Sequence, residues 1–347
     1  MPSTRPDVSI IIKTLNEERH VAAAIESAIA TLDGVRGEII LADSISTDRT
    51  IEIAAKYPIK IVSLLNPADR SCGAGAQLAY QYSKADFVCL IDGDMRLHKQ
   101  FLPAAIEFLK ANSQFAGVGG MIIERETENL EYIKRAADQN PDLRPGEVTR
   151  LDCGGVFRRT AIQSVGFLAD RNLHGGEEFE LGARLRAHGW KLARIPVASI
   201  DHHGHSGNAY TLLRRRWAAG FAFSNGEVLR ASFGTKAFPL VLRKLRWDLF
   251  LSASVHAWWL SLIALPFLAG GFFAGMAVLA ALAALPFAVM TLHSRSAGIG
   301  IYSVVAWNVY AAGLWPGLLR HRVDPAAWIE STVMRDAALT DDRVTAA

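Results

Sequence analysis

Cysteine is scarce in this 347-residue chain: Cys72, Cys89 and Cys153 are widely spaced, with no CxxC pair. That excludes a disulfide framework and a zinc knuckle, and it fits a reducing compartment. The opening MPSTRPDVSIIIKTLNEE holds an apolar run too short for the hydrophobic region of a secretion signal, so the first part of the chain is expected to stay in the cytoplasm. No Gly/Arg/Lys-rich loop of the kind that cradles a nucleoside triphosphate stands near the N-terminus, which counts against a nucleotidyltransferase. The last scarcity is local: from Ala253 to Leu292 there is no Asp, Glu, Lys or Arg. A buried hairpin in a soluble core is the bland account of that stretch. Two membrane spans fit it better, with Gly270–Gly271 near the turn and Trp258 and Trp259 anchoring the entering end.

The formal charge of +3 says little, but its distribution does more. Residues 214–246 hold Arg214, Arg215, Arg216, Arg230, Lys236, Arg243, Lys244 and Arg246 against Glu227 alone. A basic run leading into a lipid-like block suits the cytoplasmic face of an anionic bilayer. A nucleic-acid patch would need a solvated domain around it, so no nucleic-acid partner is expected. Residues 236–250, KAFPLVLRKLRWDLF, read as an interfacial amphipathic helix. Ile301–Leu319 is open to three readings: a third span, a re-entrant helix or a surface-lying helix.

Over the first 120 residues, short β-rich runs alternate with helical ones. Val8–Ile12, Glu38–Leu41, Ile59–Leu64 and Phe87–Ile91 read as strands, and Val21–Ala30, Thr50–Lys56, Ala74–Tyr82 and Phe101–Lys110 as helices. Such alternation predicts an α/β domain with a mostly parallel, helix-flanked sheet, whose ligands bind outside the carboxyl ends of the strands. Asp43, Asp92 and Asp94 fall at those ends. Farther on, GGEEFELGARL opens a helix carrying Glu177 and Glu178, which point in different directions.

Asp92 and Asp94 flank one glycine, so a tight turn could aim both into one cleft and hold a divalent cation against a diphosphate. A solvated turn explains such a pair as well when it stands alone. A helical carboxylate could take the proton of an attacking hydroxyl, or it could merely complement the helix dipole. His202, His203 and His205 form a dense cluster whose spacing builds no standard zinc site; an ordinary polar loop, acceptor contacts and metal ligation all remain open for it. The three cysteines read as packed residues.

Taken together, IIIKTLNEE, LADSISTDRT, IDGDM and GGEEFELGARLRAHGW resemble, in the same order, the motifs of inverting glycosyltransferase family 2 enzymes with the GT-A fold, over roughly residues 8–220. The resemblance implies that Glu17 and Asp43 touch the nucleoside, that Arg70 and Gly73–Gly75 approach the donor, that Asp92 meets ribose or diphosphate and that Asp94 holds the metal. Glu178 aligns with the general base, although the family usually has Glu-Asp where this chain has Glu177–Glu178. LLRRRWAAG is similar to the Gln-x-x-Arg-Trp element of processive relatives, with Arg216 and Trp217 kept and Leu213 at the Gln position. Arg216 would then neutralise diphosphate and Trp217 stack on an acceptor sugar or pack at the membrane. The missing Gln points to non-processive transfer.

The organisation expected from all this is a GT-A domain over residues 1–235, an interfacial helix over 236–250, a membrane region over 253–319 and a polar tail over 320–347. The implied reaction moves a sugar from a nucleoside-diphosphate sugar, UDP ahead of GDP, to a hydroxyl of a membrane lipid-linked saccharide in envelope or exopolysaccharide assembly, with Mg2+ or Mn2+. Transfer to polyprenyl phosphate is the first alternative, and a membrane-associated nucleotidyltransferase the second. The expected setting is the inner membrane of a bacterium, multi-pass, with the catalytic domain on the cytoplasmic side. A homo-oligomer or other enzymes of the pathway stay open as partners.

Overall fold

The structure is a computed structural model that describes residues 5–125, 140–203 and 208–336. His205 of the histidine cluster lies outside the described residues. The core forms around strands whose alternate side chains are buried on both faces, as expected of a sheet covered by helices on each side. In β1 (Val8–Thr14), β2 (Gly37–Asp43) and β4 (Phe87–Asp92), residues Val8, Ile10, Ile12, Ile39, Leu41, Cys89 and Ile91 face one layer. That layer holds α1 (Val21–Thr31) and α4 (Phe101–Ala111), with the short α2 (Thr50–Ala54) beside them. Ile11, Ile40, Ala42, Val88 and Leu90 face the opposite layer, which holds α3 (Cys72–Tyr82), α5 (Arg159–Ser164) and α6 (Glu177–Ala187).

The remaining strands are β3 (Lys60–Leu64), β5 (Met95–Leu97), β6 (Phe115–Glu124), β7 (Gly146–Val148), β8 (Gly155–Arg158), β9 (Lys191–His202) and β10 (Ser331–Arg335). Their order is β10-β3-β2-β1-β4-β8-β6-β9-β5, with β7 also paired to β9. The expected mostly parallel sheet does not form. Neighbours within β3-β2-β1-β4 are parallel, as are β6 and β9, but β4–β8, β8–β6, β9–β5, β9–β7 and β3–β10 are antiparallel. Antiparallel pairings thus outnumber parallel ones five to four among the described residues, and the sheet is mixed. The reason is connectivity. A parallel neighbour needs a crossover of a dozen or more residues. Only Gly93 and Asp94 separate β4 from β5, and the regular strand–helix alternation stops after α4.

Beyond the sheet, α7 (Ala209–Ala218) and α8 (Ser224–Ser232) lead to α9 (Phe238–Leu268), α10 (Phe272–Ser294) and α11 (Ala297–Leu319). These last three helices are long and apolar enough to cross a membrane. α9 runs without a break through the basic 236–250 region and the first half of the uncharged stretch.

Candidate active site

Strand register assembles the centre. β1 pairs in parallel with both neighbours so that Lys13 lies beside Asp92 and Thr14 beside Asp43. Lys13 Nζ then sits 3.2 Å from Asp92 Oδ1 and 2.6 Å from Glu177 Oε1. Burial alone would lower the Lys13 affinity for its proton, but Asp92 and Glu177 outweigh it and hold the ammonium well above the ordinary lysine range. Glu177, itself buried, is neutralised by this contact. Gly73 and Gly75 lie in the first turn of α3. A Cβ on Gly75 would stand 3.2 Å from Lys13 Cβ, and one on Gly73 would fall 2.0 Å from the Asp170 carbonyl oxygen. Their role here is close packing of α3 onto the site.

Glu178, next along α6, is half-buried, and no hydrogen bond or ion pair fixes its carboxylate among the described residues. Burial, then the neighbouring Glu177, with smaller pushes from Asp152 and Asp92, raise its carboxyl to about 8 against the pull of Lys13. Two adjacent glutamates therefore have opposite electrostatic situations. One is paired with a cation; the other can exchange a proton near neutral pH.

A second cluster faces the same end of the sheet. β6 and β9 pair so that Glu124 lies beside His202. Nδ1 of His202 donates to Glu124 at 2.7 Å, which turns Nε2 toward Asp94 Oδ2 at 3.7 Å. Glu124, Cys153 and His202 bring possible ligand atoms within 4.8 Å of one another. Asp94 Oδ1 is buried with no hydrogen-bond partner among the described residues. Burial and the nearby Asp92 raise the Asp94 carboxyl to about 6, and burial with Asp94 and Asp92 raises Glu17 to about 8. An orphaned carboxylate oxygen among mutually repelling acids, with an imidazole beside it, is a donor set that fits a divalent cation. The Glu124–His202 contact is the kind that orients a ligating imidazole. His203 stacks on His20, with ring centroids 5.5 Å apart.

The LADSISTDRT turn is bound to the Asn16–Glu18 turn. Asp43 accepts from Ser46 N at 2.8 Å and from Ser46 Oγ at 2.5 Å. Asn16 Oδ1 accepts from Thr47 N at 2.8 Å, Glu17 N donates to Thr50 Oγ1 at 2.8 Å, and Asp48 accepts from Glu18 N and Thr50 N. Arg70 donates to the Ser44 and Ile45 carbonyls at 2.8 and 2.5 Å, so its visible task is to hold this turn. Arg216 donates to Tyr310 Oη at 3.1 Å and stacks over Phe221, and Trp217 packs edge-on against Phe223. These contacts lie with α11 and the α7–α8 turn. Burial pushes the Cys72 thiol above its ordinary range and Cys89 up to about 12, as expected of packed thiols.

Lys13 and Glu124 were not singled out by sequence reasoning. The available signal for Lys13 was a lone cation at the end of the apolar run VSIII, at the same strand end as Asp92. For Glu124 there was none without the register, since its partner stands far along the chain.

A family profile described as Glycosyl transferase family 2 matches residues 9–166, and one described as Glycosyl transferase family group 2 matches residues 153–314. EpsE of Bacillus subtilis (strain 168), assigned by name to the glycosyltransferases, is 31% identical over 197 residues, covering 54% of this chain and 69% of EpsE. The succinoglycan biosynthesis protein ExoO of Rhizobium meliloti (strain 1021) is 26% identical over 225 residues, covering 60% of this chain and 64% of ExoO. Other relatives are matched over only 28% and 37% of their length. Among solved structures, the mannosyltransferase PcManGT from Pyrobaculum calidifontis, in complex with GDP-Man and Mn2+, superposes with a TM-score of 0.59 at 16% identity, over 92% of this chain and 88% of that one. That likeness is one of fold.

Proposed function

The chain belongs to glycosyl transferase family 2, and from that premise we propose that it transfers one sugar at a time, with inversion, from a nucleoside-diphosphate sugar to a hydroxyl of a membrane lipid-linked saccharide. The names of EpsE and ExoO support a glycosyl transfer of the exopolysaccharide or envelope type. The observation that carries the mechanism is the split between the two helical acids: Glu177 neutralised by Lys13, Glu178 left with a proton affinity near 8.

In this reading the domain works as a GT-A site. Asp43 and Arg70 hold the turn that receives the nucleoside, with Glu17 and Asp92 at its edge. Asp94 and His202, oriented by Glu124, are the residues that would hold Mg2+ or Mn2+. Bound there, the cation would offset the charge developing on the departing diphosphate. The acceptor oxygen forms its bond to the anomeric carbon as the bond from that carbon to the diphosphate oxygen breaks. The bonding pair leaves with the nucleoside diphosphate, and the hydroxyl proton passes to Glu178. Lys13 keeps Asp92 and Glu177 in place and offers the pocket one fixed positive charge. Arg216 and Trp217 stand on the membrane side, where the acceptor would arrive. The basic 214–246 run supports a catalytic domain on the cytoplasmic side of an anionic bilayer.

The test is incubation of the purified chain with a panel of UDP- and GDP-sugars and membrane lipid extracts, reading nucleoside diphosphate release and product mass with and without chelator. The expected product is a lipid-linked saccharide one sugar heavier, lost on chelation and in the Glu178→Gln variant. Transfer to polyprenyl phosphate that survives Glu178→Gln would replace the hydroxyl acceptor, because an anionic acceptor needs no base. Near-normal turnover of the variant on a hydroxyl acceptor would remove Glu178 from its role.

A further inference from the structure

Three apolar helices follow the catalytic domain, yet they do not share one environment. Buried residues make up 6% of the apolar window in both α9 and α10, and 39% in α11. α11 is covered on one side by α9 and α10, where a Cβ on Gly300 would fall 2.7 Å from the Thr291 backbone nitrogen, and on the other by the catalytic domain along much of its length. Tyr302 meets Tyr210 edge to face, Ala306 packs with Ala209 and Leu213, and Tyr310 accepts from Arg216. A Cβ on Gly313 would fall 2.3 Å from the Ala222 carbonyl oxygen, and one on Gly317 would fall 2.2 Å from that of Phe223, so both glycines are needed for this approach. The Leu318 carbonyl accepts from Arg230 at 2.9 Å. A helix leaving a domain to cross a bilayer would lose such contacts after a turn or two. Here they continue from Tyr302 to Leu318.

The chain after α11 also returns. Arg322 pairs with Asp170 at 2.6 Å, Val323 N donates to Asn172, and Ile329 N donates to Gln81. β10 then adds to the free edge of β3, in the same sheet as Lys13 and Asp92. A chain that starts from the catalytic sheet and ends on it has crossed a bilayer an even number of times, so three crossings are excluded by topology.

We propose that α9 and α10 enter the bilayer as a hairpin, and that α11 lies along the membrane face of the catalytic domain without crossing. The occupant of the exposed apolar surface is lipid. Residues 249–268 of α9 and all of α10 each reach about 30–35 Å at 1.5 Å per residue, the thickness of a bilayer core. Neither carries an Asp, Glu, Lys or Arg between Ala253 and Leu292. At the tip, Phe267, Leu268, Phe272 and Phe273 are 77–86% exposed, a cost in water that hydrocarbon removes. The two arms close tightly, since a Cβ on Gly275 would lie 2.6 Å from the Pro266 carbonyl oxygen. Exposed Arg243 and Arg246, just before the apolar half of α9, suit the anionic headgroups on the near side. Trp259 and Trp315 hydrogen-bond Asn308 and His256 across α9 and α11, which fixes the hairpin to its seat.

The experiment places single cysteines in the full chain at Ala269, Ala297 and Ala326, with Lys110→Cys marking the catalytic domain and the unsubstituted chain as blank. Labelling by a membrane-impermeant maleimide is compared in inverted and right-side-out vesicles. The expected result is that Ala297→Cys and Ala326→Cys label from the same face as Lys110→Cys, and that Ala269→Cys labels only from the opposite face or is shielded from both. Opposite faces for Ala297→Cys and Ala326→Cys would make α11 a span and overturn the proposal. So would labelling of Ala269→Cys from the Lys110→Cys face, which removes the hairpin. Protease applied to the unsubstituted chain gives an independent readout: the tail after α11 and the catalytic domain should be cut from one and the same face. A tail protected where the domain is cut would refute the topology.

Discussion

The half of the sheet made of β3, β2, β1 and β4 and the half made of β8, β6, β9 and β5 reach one site by different routes and with different charge. In the first, parallel register alone lines up Lys13, Asp43 and Asp92 at adjacent strand ends, and Lys13 balances the acids it touches. In the second, β6 and β9 bring Glu124 and His202 together, and the turn leading into β5 carries Asp94, whose Oδ1 has no partner among the described residues. One side of the pocket is electrostatically complete as folded. The other keeps excess negative charge that burial makes costly, so it is the side that gains most from a bound cation. Glu178 lies at the boundary, beside a neutralised neighbour and without a hydrogen-bond or ion-pair partner among the described residues.

The largest expected effect comes from breaking that boundary. Glu178→Gln should lower transfer about 10²- to 10⁴-fold, the usual contribution of a positioned base, while donor affinity measured by calorimetry stays near that of the parent. A matched loss of donor affinity would show that Glu178 shapes the pocket instead of receiving the proton. Next is Lys13→Met, which strands Glu177 as a buried, unpaired carboxylate. Loss of about 3–5 kcal/mol in urea unfolding is expected, and the double variant Lys13→Met/Glu177→Gln should recover much of it. No recovery would mean that the parallel half does not depend on this pair for its balance.

The two halves were not equally legible in the sequence. Regular strand–helix alternation exposes β1 to β4 and the ends on which Asp43 and Asp92 sit, because each crossover helix carries its own apolar period. The other half is built from short strands such as β5, β7 and β8, and their antiparallel pairing leaves no periodic trace distinct from loops. Extending the alternation past α4 therefore gave the wrong sheet. Glu178 could be read from a local motif. Lys13 could not, since one lysine closing an apolar strand looks like a solvent boundary until its neighbours are known. The Glu124–His202 pair rests on register between β6 and β9, and no short-range pattern encodes it.

The acid-rich half can be sharpened separately. Glu124→Gln removes the charged partner that orients His202. A drop in Mn2+ affinity of about 10- to 100-fold is expected by direct titration, with the fold intact by circular dichroism. Unchanged affinity would place the cation away from His202. Two acids at the edges of this cluster set a pH dependence. Glu178 and Glu17, both raised to about 8, hold protons in the folded chain that the unfolded chain releases at ordinary carboxylate values. Metal-free stability should therefore fall as pH rises from about 5 to 8, and Glu178→Gln should flatten part of that slope. A slope of the opposite sign in denaturant titrations would mean that these acids are already compensated.

The smallest effect tests the completeness of the parallel half. Ile45, within LADSISTDRT, adopts φ 60°, left-handed backbone that a β-branched residue rarely enters. Arg70 bonds the Ser44 and Ile45 carbonyls, and the Ile45 side chain packs on the apolar layer that holds α3. The turn is thus held by contacts that offset backbone strain. Ile45→Ala loses the packing and keeps the strain, whereas Ile45→Gly loses the packing and relieves it. The Gly variant should be the more stable of the two by about 1 kcal/mol, even after the extra chain entropy of glycine. If thermal unfolding ranks Ala above Gly, the backbone at Ile45 is not strained, and the turn needs less support from Arg70 than its two hydrogen bonds suggest.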